Sequence, residues 1–503
     1  MAGLQFRDLV GAVSAAAPAG GHPRADGALA RRRPHLRYSP VVLAGTLRLV
    51  ELALVAAAGL AVHVAYLRGE PFGWIDAGMV VAITALAALA FQAVGAYTIT
   101  ALRTLTKTGL KLVGAWSFVF LCTAALVFML KAGTSVSRVW LAGWYAAGLG
   151  AIVFERICVS FAVSRMSRAG RFDRRTAIVG GGEPANEIIR ALQAQPETGI
   201  RVVGVFDDRD DARSPAVVGG YRKLGGVSNL VEYARTNPLD LVIFTLPISA
   251  ENRLLEMLGK LWVLPIDIRL SAHASKLRLR PRSYSYIGSV PVLDVFDRPI
   301  ADWDLVLKWI FDKVVGTAAL IMLFPLLVMT AIAVKLDSRG PVFFRQKRYG
   351  FNNELIEVYK FRSMYVDKAD AAAARLVTRD DPRVTRVGRF IRKTSIDELP
   401  QLFNVVFSGN LSLVGPRPHA LQAKAEDRLY DQVVDGYFAR HKVKPGITGW
   451  AQINGWRGET DTSEKIQRRV EHDLYYIENW SAFFDLYILF ATPFSLLKSE
   501  NAY

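Results

Sequence analysis

Cysteine, histidine and charged residues are all scarce in this chain of 503 residues. Its two cysteines, Cys122 and Cys158, both lie inside apolar runs, which excludes a disulfide framework and a cysteine-based zinc site. Its seven histidines are scattered without the spacing of metal ligands. Only 21% of the residues are charged, whereas 51% are hydrophobic, and the mean hydropathy is +0.22. These values exclude a disordered chain and argue against an ordinary soluble protein.

The charge that is present is strongly unbalanced. The chain has 62 Lys and Arg residues against 45 Asp and Glu residues, a formal net charge of +17. This excess is compatible with nucleic acid, anionic lipid or a phosphorylated substrate. A nucleic-acid partner is disfavoured, because the positive charge concentrates beside apolar stretches and around one acidic pair.

Four apolar stretches in the first third of the chain predict transmembrane helices, since each reaches the roughly 20 residues that cross a bilayer. They lie at about 41–67, 75–97, 110–131 and 137–163. Basic residues cluster before the first stretch, between the second and third, and after the fourth, so both ends of this unit are predicted to be cytoplasmic. We predict a disordered cytoplasmic tail at 1–40 and the four-helix unit at 41–165. Arg48 and Glu51, three residues apart, can pair on one face of the first span.

Residues 166–300 alternate short strands with helices, which predicts a Rossmann-like domain with a parallel sheet. The run GGGEPA at 180–185 follows the first strand and fits the G-x-G-x-x-A pattern of a nucleotide-binding turn. An acid follows the second strand. Candidate nucleotide-binding residues are therefore Gly180, Gly182, Ala185 and Asp207. A tight turn without a ligand, or a nicotinamide oxidoreductase, remains an alternative for this loop.

The last segment, 301–503, begins with an apolar stretch at 314–334 that has Pro325 at its centre. Proline removes a helix hydrogen bond and bends the helix. Basic residues flank the stretch on both sides, so charge does not choose a direction. A straight span would put the polar sequence that follows on the outside of the cell. We therefore predict a re-entrant helix that bends at Pro325 and returns to the cytoplasmic face.

The densest polar sequence, 340–458, contains one acidic pair, Asp397 and Glu398, among many arginines and lysines. Two carboxylates beside phosphate-binding cations suit Mg²⁺, which takes few protein ligands and shares phosphate oxygens. A carboxylate can also act as a nucleophile toward phosphorus, and Arg392 can hold a phosphate through two hydrogen bonds. The alternative is an exposed helix start capped by Ser395, where acidic residues are favourable.

Residues 301–503 combine the proline-broken helix with four short blocks: KFRSM at 360–364, DELPQ at 397–401, VGPRP at 414–418 and PGITGW at 445–450. By these features they closely resemble the catalytic domain of bacterial monotopic phosphoglycosyl transferases, which load sugar 1-phosphates onto undecaprenyl phosphate. The whole chain except 1–40 resembles the large form of this family. It implies a membrane α plus α/β protein: four transmembrane helices, a Rossmann-like domain, and a catalytic domain with a re-entrant helix.

The resemblance also implies a mechanism. Asp397 would attack the β-phosphate of a UDP-sugar, release UMP and carry the phosphosugar until undecaprenyl phosphate accepts it, while Glu398 would place Mg²⁺ or assist proton movement. Both acids are expected to contact the metal. Phosphate- or substrate-binding roles are expected for Lys360, Arg362, Arg383, Arg392, Arg417 and Arg440. The protein is then expected in the bacterial inner membrane, among its lipids, with the catalytic domain on the cytoplasmic face. A homodimer is one possible oligomeric state.

Two further points concern the substrate and the activity. The sequence Pro418-His419-Ala420 resembles glucose-type members, so UDP-glucose is expected, with UDP-galactose as the alternative, in the first membrane step of exopolysaccharide, capsule or O-antigen synthesis. The segment 404–412 is one residue longer than the family leads us to expect, and Asn410 stands where an acidic residue is common. The alternative function is a nucleotide-sensing membrane scaffold with an inactive catalytic domain, against which the intact Asp397-Glu398 pair argues.

Overall fold

The structure is a computed structural model that describes most of the chain. The described residues are 38–67, 72–103, 105–131, 136–195, 198–209, 214–246, 250–271, 285–366, 381–419, 424–425, 428–429, 437–456 and 462–498. The tail predicted at 1–40 lies outside them, apart from its last three residues. The chain forms two compact units that divide between Asp173 and Arg174, and each is described by itself.

The first unit is entirely helical. Its helices are α1 (Pro40–Tyr66), α2 (Trp74–Ala93), the short α3 (Ile99–Arg103), α4 (Leu105–Met129) and α5 (Arg138–Arg168). The four long helices coincide with the four predicted apolar stretches to within five residues at each end, and each is long and apolar enough to cross a membrane.

Three buried tryptophans hold this unit together. Trp116, Trp140 and Trp144 have no exposed surface, and each indole N–H donates to a backbone carbonyl of another helix at 2.8–3.0 Å. A β-carbon on Gly59 would lie 2.5 Å from the ring of Trp144, so only glycine permits this approach of α1 to α5.

Glu51 in α1 has a different partner from the one expected. Its carboxylate pairs with Arg156 of α5 at 2.6 Å and accepts a 2.6 Å hydrogen bond from Tyr97, while the Arg48 guanidinium lies over the Tyr97 ring. Arg156 also donates to the carbonyl of Ala96, in the irregular turn that ends α2. The buried ion pair therefore joins different segments of the unit instead of staying within one helix.

The second unit begins with a sheet of eight strands in the order β3-β4-β2-β1-β5-β6-β8-β7. Its strands are β1 (Arg174–Val179), β2 (Ile200–Phe206), β3 (Val217–Val218), β4 (Tyr221–Gly225), β5 (Leu241–Phe244), β6 (Asp267–Ser271), β7 (Ser285–Ile287) and β8 (Val290–Phe296). Strands β4, β2, β1, β5 and β6 pair in parallel. The connecting helices are α6 (Glu183–Gln193), α7 (Val227–Thr236) and α8 (Glu251–Leu261). The predicted parallel α/β arrangement is confirmed for these five strands, but the whole sheet is mixed, because β3, β8 and β7 join its edges in antiparallel pairing.

The remainder of the unit starts with the long helix α9 (Asp302–Asp337), which is helical throughout and contains Pro325. The antiparallel strands β9 (Phe343–Tyr349) and β10 (Leu355–Phe361) follow, and then α10 (Arg386–Lys393), α11 (Gln401–Phe403) and β11 (Ser412–Val414). The chain closes with β12 (Lys424–Ala425), β13 (Arg428–Leu429), β14 (Gly446–Thr448), α12 (Trp450–Ile453), α13 (Ser463–Glu478) and α14 (Ala482–Lys498).

Helix α9 packs along one side on this last part of the unit and leaves the other side uncovered. Leu320, Leu327 and Val334 belong to its hydrophobic core. Large apolar side chains elsewhere on the helix, such as Ile321 and Met322, are 70% and 73% exposed. Exposed apolar surface on this scale marks a membrane or protein interaction site. Helix α9 is also long and apolar enough to cross a membrane.

Candidate active site

The acidic pair lies on a single 3₁₀ turn, 396–398, between α10 and α11. Ser395 separates this turn from α10 and has a left-handed backbone, with φ of 58°. A non-glycine residue in this region costs of order 1–3 kcal/mol, so the surrounding structure must hold it there. Asp397 and Glu398 are consequently half-buried instead of exposed at a helix start, and the capped-helix alternative is wrong.

Glu398 is fixed by two cations from different parts of the chain. Lys360, near the end of β10, donates to its Oε1 at 2.8 Å, and Arg417, which follows β11, donates to the same oxygen. Burial opposes ionisation, but Arg417 and Lys360 outweigh it and hold the pKa of Glu398 well below its usual range. Glu398 is therefore a permanent anion that orders the two basic side chains.

Asp397 experiences the opposite balance. Burial raises its pKa to about 6, the charge of Glu398 adds to the rise, and Lys360, Arg392 and Arg417 only partly offset it. Two adjacent carboxylates thus have pKa values moved in opposite directions, a pattern that separates the reactive acid from the supporting one. The raised pKa makes ionised Asp397 the more basic and more nucleophilic of the two.

Arg348 of β9 is a site residue that the sequence did not reveal. It lies near Asp397 and Glu398, it donates to the carbonyl of Pro418, and burial lowers its pKa to about 10. Its only signal in the sequence is period-two alternation with the buried Gln346 on a strand whose other face is exposed.

Positive charge is in excess at the site. Arg348, Lys360, Arg392 and Arg417 all act on the titration of the acidic pair. With Asp397 and Glu398 ionised, four cations face two carboxylates, which leaves a net charge of +2. Buried charge of one sign is costly unless a ligand compensates it, so the arrangement suits a substrate with several negative charges.

Arg440 contacts the backbone of Arg417 and supports the site from the protein interior. Its guanidinium is 1% exposed, pairs with Asp473, donates to the carbonyl of Arg417 at 2.7 Å and contacts the ring of His419. Burial, with the charge of Arg440, lowers the pKa of His419 far below its usual value, so this imidazole is neutral. Arg440 therefore positions the loop that carries Arg417.

Two predicted phosphate ligands are used elsewhere. Arg362 is 5% exposed and its Nη2 donates to the carbonyls of Ser338 and Val334 at 2.6 and 3.2 Å, so it closes the C-terminal end of α9. Arg383 makes a two-pronged ion pair with Asp381, two residues away, at 2.5–2.9 Å and so lowers the pKa of Asp381 to about 2. The structure thus brings Lys360, Arg392 and Arg417 to the acidic pair, with Arg440 behind them, but engages Arg362 and Arg383 elsewhere.

The longer segment after the acidic pair forms one turn of π-helix at Asn404–Ser408, closed by a 2.7 Å hydrogen bond from Gly409 N to Asn404 O. A π turn accommodates one extra residue within a helix and is frequent at functional sites. The Asn404 side chain accepts from Tyr359 N at 3.0 Å and donates to Glu357 O and to Asn410 Oδ1. Asn410 serves here as an acceptor, a role that an acidic residue also fills.

The glycine loop of the sheet domain makes its contacts within the chain. Gly180 and Gly182 have φ of 96° and 84°, and Ala185 is fully buried in α6. Gly181 N donates to Asp207 Oδ2 at 2.7 Å, and Arg209 forms an ion pair with the same carboxylate. The predicted residues therefore meet at the carboxyl ends of β1 and β2, with Asp207 engaged by the loop itself.

Comparison with known proteins agrees with this architecture. Residues 303–499 match the family model described as bacterial sugar transferase, and residues 92–272 match one described as CoA-binding domain.

Several curated proteins are similar over most of the chain. A UDP-glucose:undecaprenyl-phosphate glucose-1-phosphate transferase of Escherichia coli K12 is 39% identical over 73% of this chain and 76% of its own length. An undecaprenyl-phosphate glucose phosphotransferase of Komagataeibacter xylinus is 41% identical over 70% of this chain and 65% of its own. A UDP-glucose:undecaprenyl-phosphate glucose-1-phosphate transferase of Xanthomonas campestris pv. campestris is 36% identical over 76% and 79%.

Proposed function

Because the chain belongs to the bacterial sugar transferase family, as a polyprenyl-phosphate hexose-1-phosphate transferase, we propose that it transfers glucose 1-phosphate from UDP-glucose to undecaprenyl phosphate. UMP is the second product, and the lipid-linked sugar starts the synthesis of an exopolysaccharide. Glucose is the sugar in the names of all three relatives, and it agrees with the Pro418-His419 sequence.

The observation that carries this proposal is the acidic pair in a positive site. Asp397 has a raised pKa, Glu398 is tied to Lys360 and Arg417, and the group has an excess of two positive charges. A diphosphate substrate supplies the missing negative charge. Positioned cations of this kind provide much of the stabilisation in phosphoryl transfer.

The reaction proceeds through two displacements at the same phosphorus. A carboxylate oxygen of Asp397 bonds to the β-phosphorus of UDP-glucose, and the bond between that phosphorus and the bridging oxygen breaks to release UMP. An oxygen of undecaprenyl phosphate then bonds to the phosphorus, and the bond to Asp397 breaks. The carboxylate is regenerated, and no oxidant or further co-reactant is consumed.

Mg²⁺ fits the donor set of this site. Oε1 of Glu398 already accepts from Lys360 and Arg417, so within the described part of the chain Oε2 of Glu398 and both oxygens of Asp397 remain for a metal. Burial raises the pKa of Asp397 in spite of the nearby cations, so a cation bound directly to its oxygens would favour the ionised form. Mg²⁺ needs only one or two protein carboxylates when it shares phosphate oxygens. Asp397 and Glu398 would hold the ion, which would neutralise developing charge on the phosphates.

We also propose that α9 enters and leaves the membrane on the cytoplasmic side. Near its start, Asp312 accepts from Leu413 N, and at its end, Asp337 accepts from Val387 N, both at 3.0 Å. Twenty-five residues of straight helix span about 37 Å, more than a hydrocarbon core of about 30 Å. A helix that crossed the bilayer would put these two contacts on opposite sides, yet both are made with the part of the unit that carries Asp397.

UMP release tests the proposed function. Purified protein in nanodiscs is incubated with UDP-glucose, Mg²⁺ and undecaprenyl phosphate, and then with UDP-galactose and other UDP-sugars in place of UDP-glucose. We expect UMP release to be fastest with UDP-glucose. Release with none of the donors would support the alternative of a nucleotide-sensing scaffold with an inactive catalytic domain.

The sheet domain supports a second proposal, a nucleotide ligand at its glycine loop. The match of residues 92–272 to a CoA-binding model favours it. Because Asp207 is engaged by Gly181 and Arg209, such a ligand would have to displace this internal contact. Titration of the protein with coenzyme A, followed by calorimetry in wild type and in Asp207→Ala, tests this proposal.

A further inference from the structure

A buried polar network joins the membrane helix α9 to the strand that precedes Arg417. Lys308, 8% exposed, donates from Nζ to Val414 O at 3.0 Å and to Asp485 Oδ2 at 2.6 Å. Asp312, one turn later on the same helix, accepts from Leu413 N at 3.0 Å and from Ser412 Oγ at 2.9 Å. The network therefore binds the backbone of β11 through hydrogen bonds.

Helix α13 and the start of α14 complete the network. The hydroxyl of Tyr476 lies 3.0 Å from Val414 O and 2.7 Å from Asp485 Oδ1, and Trp480 Nε1 lies 3.2 Å from Asp485 Oδ2. Asp485 has no exposed surface, and Tyr476 is 1% exposed. Each carboxylate oxygen of Asp485 thus has a donor, as a buried acid requires.

The network satisfies the side of β11 that faces away from β14. Strand β11 pairs with β14 through Ser412 N, and Gly415 N donates to Thr448 O at 2.9 Å. Leu413 N and Val414 O face the other way, and a buried edge needs partners for such groups. Asp312 accepts from Leu413 N and Lys308 donates to Val414 O, while the single hydroxyl proton of Tyr476 serves Asp485, which in turn holds Lys308.

Strand β11 is followed almost immediately by an active-site residue. Only Gly415 and Pro416 separate Val414 from Arg417, the residue that binds Glu398. Arg440 holds the carbonyl of Arg417 from behind. The position of the Arg417 guanidinium therefore depends on a short segment fixed by Arg440 at one end and by the α9 network at the other.

We propose that Lys308 is a positioning residue, which acts through Val414 to hold Arg417 against Glu398 and so makes the active site depend on the seated membrane helix. The role in catalysis rests on the proposed function. The structural part, that Lys308 orders residues 412–417, stands without it.

Two measurements separate these parts. Hydrogen–deuterium exchange in nanodiscs reports the order of β11 and the following loop, whether or not the protein is active. Steady-state UMP release reports the consequence for catalysis. The variants are Lys308→Met, Arg417→Met, the double variant and Tyr476→Phe, which removes a single hydroxyl. Lys335→Met is the matched control, because Lys335 is an exposed lysine near the other end of the same helix.

We expect faster exchange at 412–417 in Lys308→Met and unchanged exchange in Lys335→Met. We expect kcat/KM to fall about 100-fold in Lys308→Met, the size associated with a reacting group misplaced by about 1 Å. The loss should be divided between kcat and KM in the same proportion as in Arg417→Met. When Lys308→Met is added to Arg417→Met, kcat/KM should fall little further, because both substitutions disrupt one interaction. Tyr476→Phe, the variant that keeps the packing, should lose about fivefold.

Unchanged exchange at 412–417 in Lys308→Met and Tyr476→Phe would overturn the structural part of the proposal. A full additional loss in the double variant would overturn the action through Arg417, since independent effects multiply. Absence of UMP release by the wild type would reject the proposed function, whereas the exchange result would still decide whether Lys308 positions β11. If Lys308→Met fails to fold, Tyr476→Phe decides by the same two readouts.

Discussion

Lys360 donates from Nζ to Oε1 of Glu398 across 2.8 Å, and it makes no such contact with the adjacent Asp397 among the interactions of the described residues. This asymmetry divides the work between two neighbouring acids. Glu398 is ionised and held by two ion pairs, whereas burial and the charge of Glu398 leave Asp397 with the more basic carboxylate. This difference supports the proposal that Asp397 attacks phosphorus while Glu398 aligns the cations.

Asp397→Asn should abolish transfer and also raise thermal stability. The amide cannot attack phosphorus. Because the pKa of Asp397 is raised to about 6 in the folded protein, its ionised form destabilises the fold at neutral pH, and this penalty vanishes as pH falls below about 4. We expect no UMP release and a Tm about 2–4 °C above wild type at pH 7.5, with the gain lost at low pH. Turnover within tenfold of wild type would contradict the role of Asp397.

Glu398→Gln should behave differently. Its carboxylate has a pKa held far below the usual range, so it stabilises the folded protein at neutral pH through Arg417 and Lys360, and this stabilisation is lost as pH falls. Removing the charge leaves Lys360 and Arg417 without their anionic partner; for a fully buried pair such a loss costs about 3–5 kcal/mol, and for these half-buried side chains it should cost less. We expect severely impaired transfer together with a lowered Tm, measured by UMP release and by scanning fluorimetry. An unchanged Tm would show that the ion pairs do not stabilise the protein.

Sequence spacing could not distinguish the roles of Lys360 and Arg362. The two residues are basic, two apart, and belong to one motif, so both were expected to bind phosphate. Strand β10 ends at Phe361, however, and the chain turns there. Lys360 consequently points toward Glu398, whereas Arg362 reaches the end of α9. The different roles of Lys360 and Arg362 depend on the end of β10 at Phe361, and the types of the two residues do not show where the strand ends.

Arg362→Met should therefore reduce stability more than substrate affinity. The change removes a guanidinium that donates to Ser338 O, Ser338 Oγ and Val334 O. Hydrogen bonds from charged groups contribute about 1.5–3 kcal/mol each, and the freed helix carbonyls stay buried. We expect a lower midpoint in denaturant and a KM for UDP-glucose within twofold of wild type. A KM raised tenfold at unchanged stability would restore Arg362 as a phosphate ligand.

The fold was more predictable than the site. Four apolar stretches and a strand–helix alternation are read along the chain, so the helices and the parallel strands followed from local patterns. The site depends on contacts between distant segments, such as Arg417 with Glu398, and on the left-handed backbone of Ser395. Arg348 was missed for this reason, because it enters the site only through the pairing of β9 with β10.

The proposed re-entrant course of α9 predicts that both of its ends are on the cytoplasmic side. The test uses a variant without Cys122 and Cys158, with a single cysteine placed either at Gly350 or in the tail before Tyr38. Each cysteine should react with an impermeant maleimide in inverted vesicles, where the cytoplasmic face is outside, and should not react in intact cells. Labelling of the two sites from opposite faces would contradict the proposed topology. Pro325→Ala provides the sharper case, because a straighter helix should move the Gly350 site outward and reduce activity.

A phosphosugar on Asp397 predicts a definite order of events. UMP leaves before the lipid acceptor is needed, so the kinetics should be ping-pong. Wild-type protein incubated with Mg²⁺ and UDP-glucose labelled in the sugar, without lipid, should retain label after denaturation, and alkali should release it, since an acyl phosphate hydrolyses readily. The label should be absent in Asp397→Asn and should transfer to undecaprenyl phosphate when this lipid is added. Direct attack by the lipid requires both substrates together. Wild-type protein that turns over well but never retains label would therefore favour the direct route and leave Asp397 as a metal ligand.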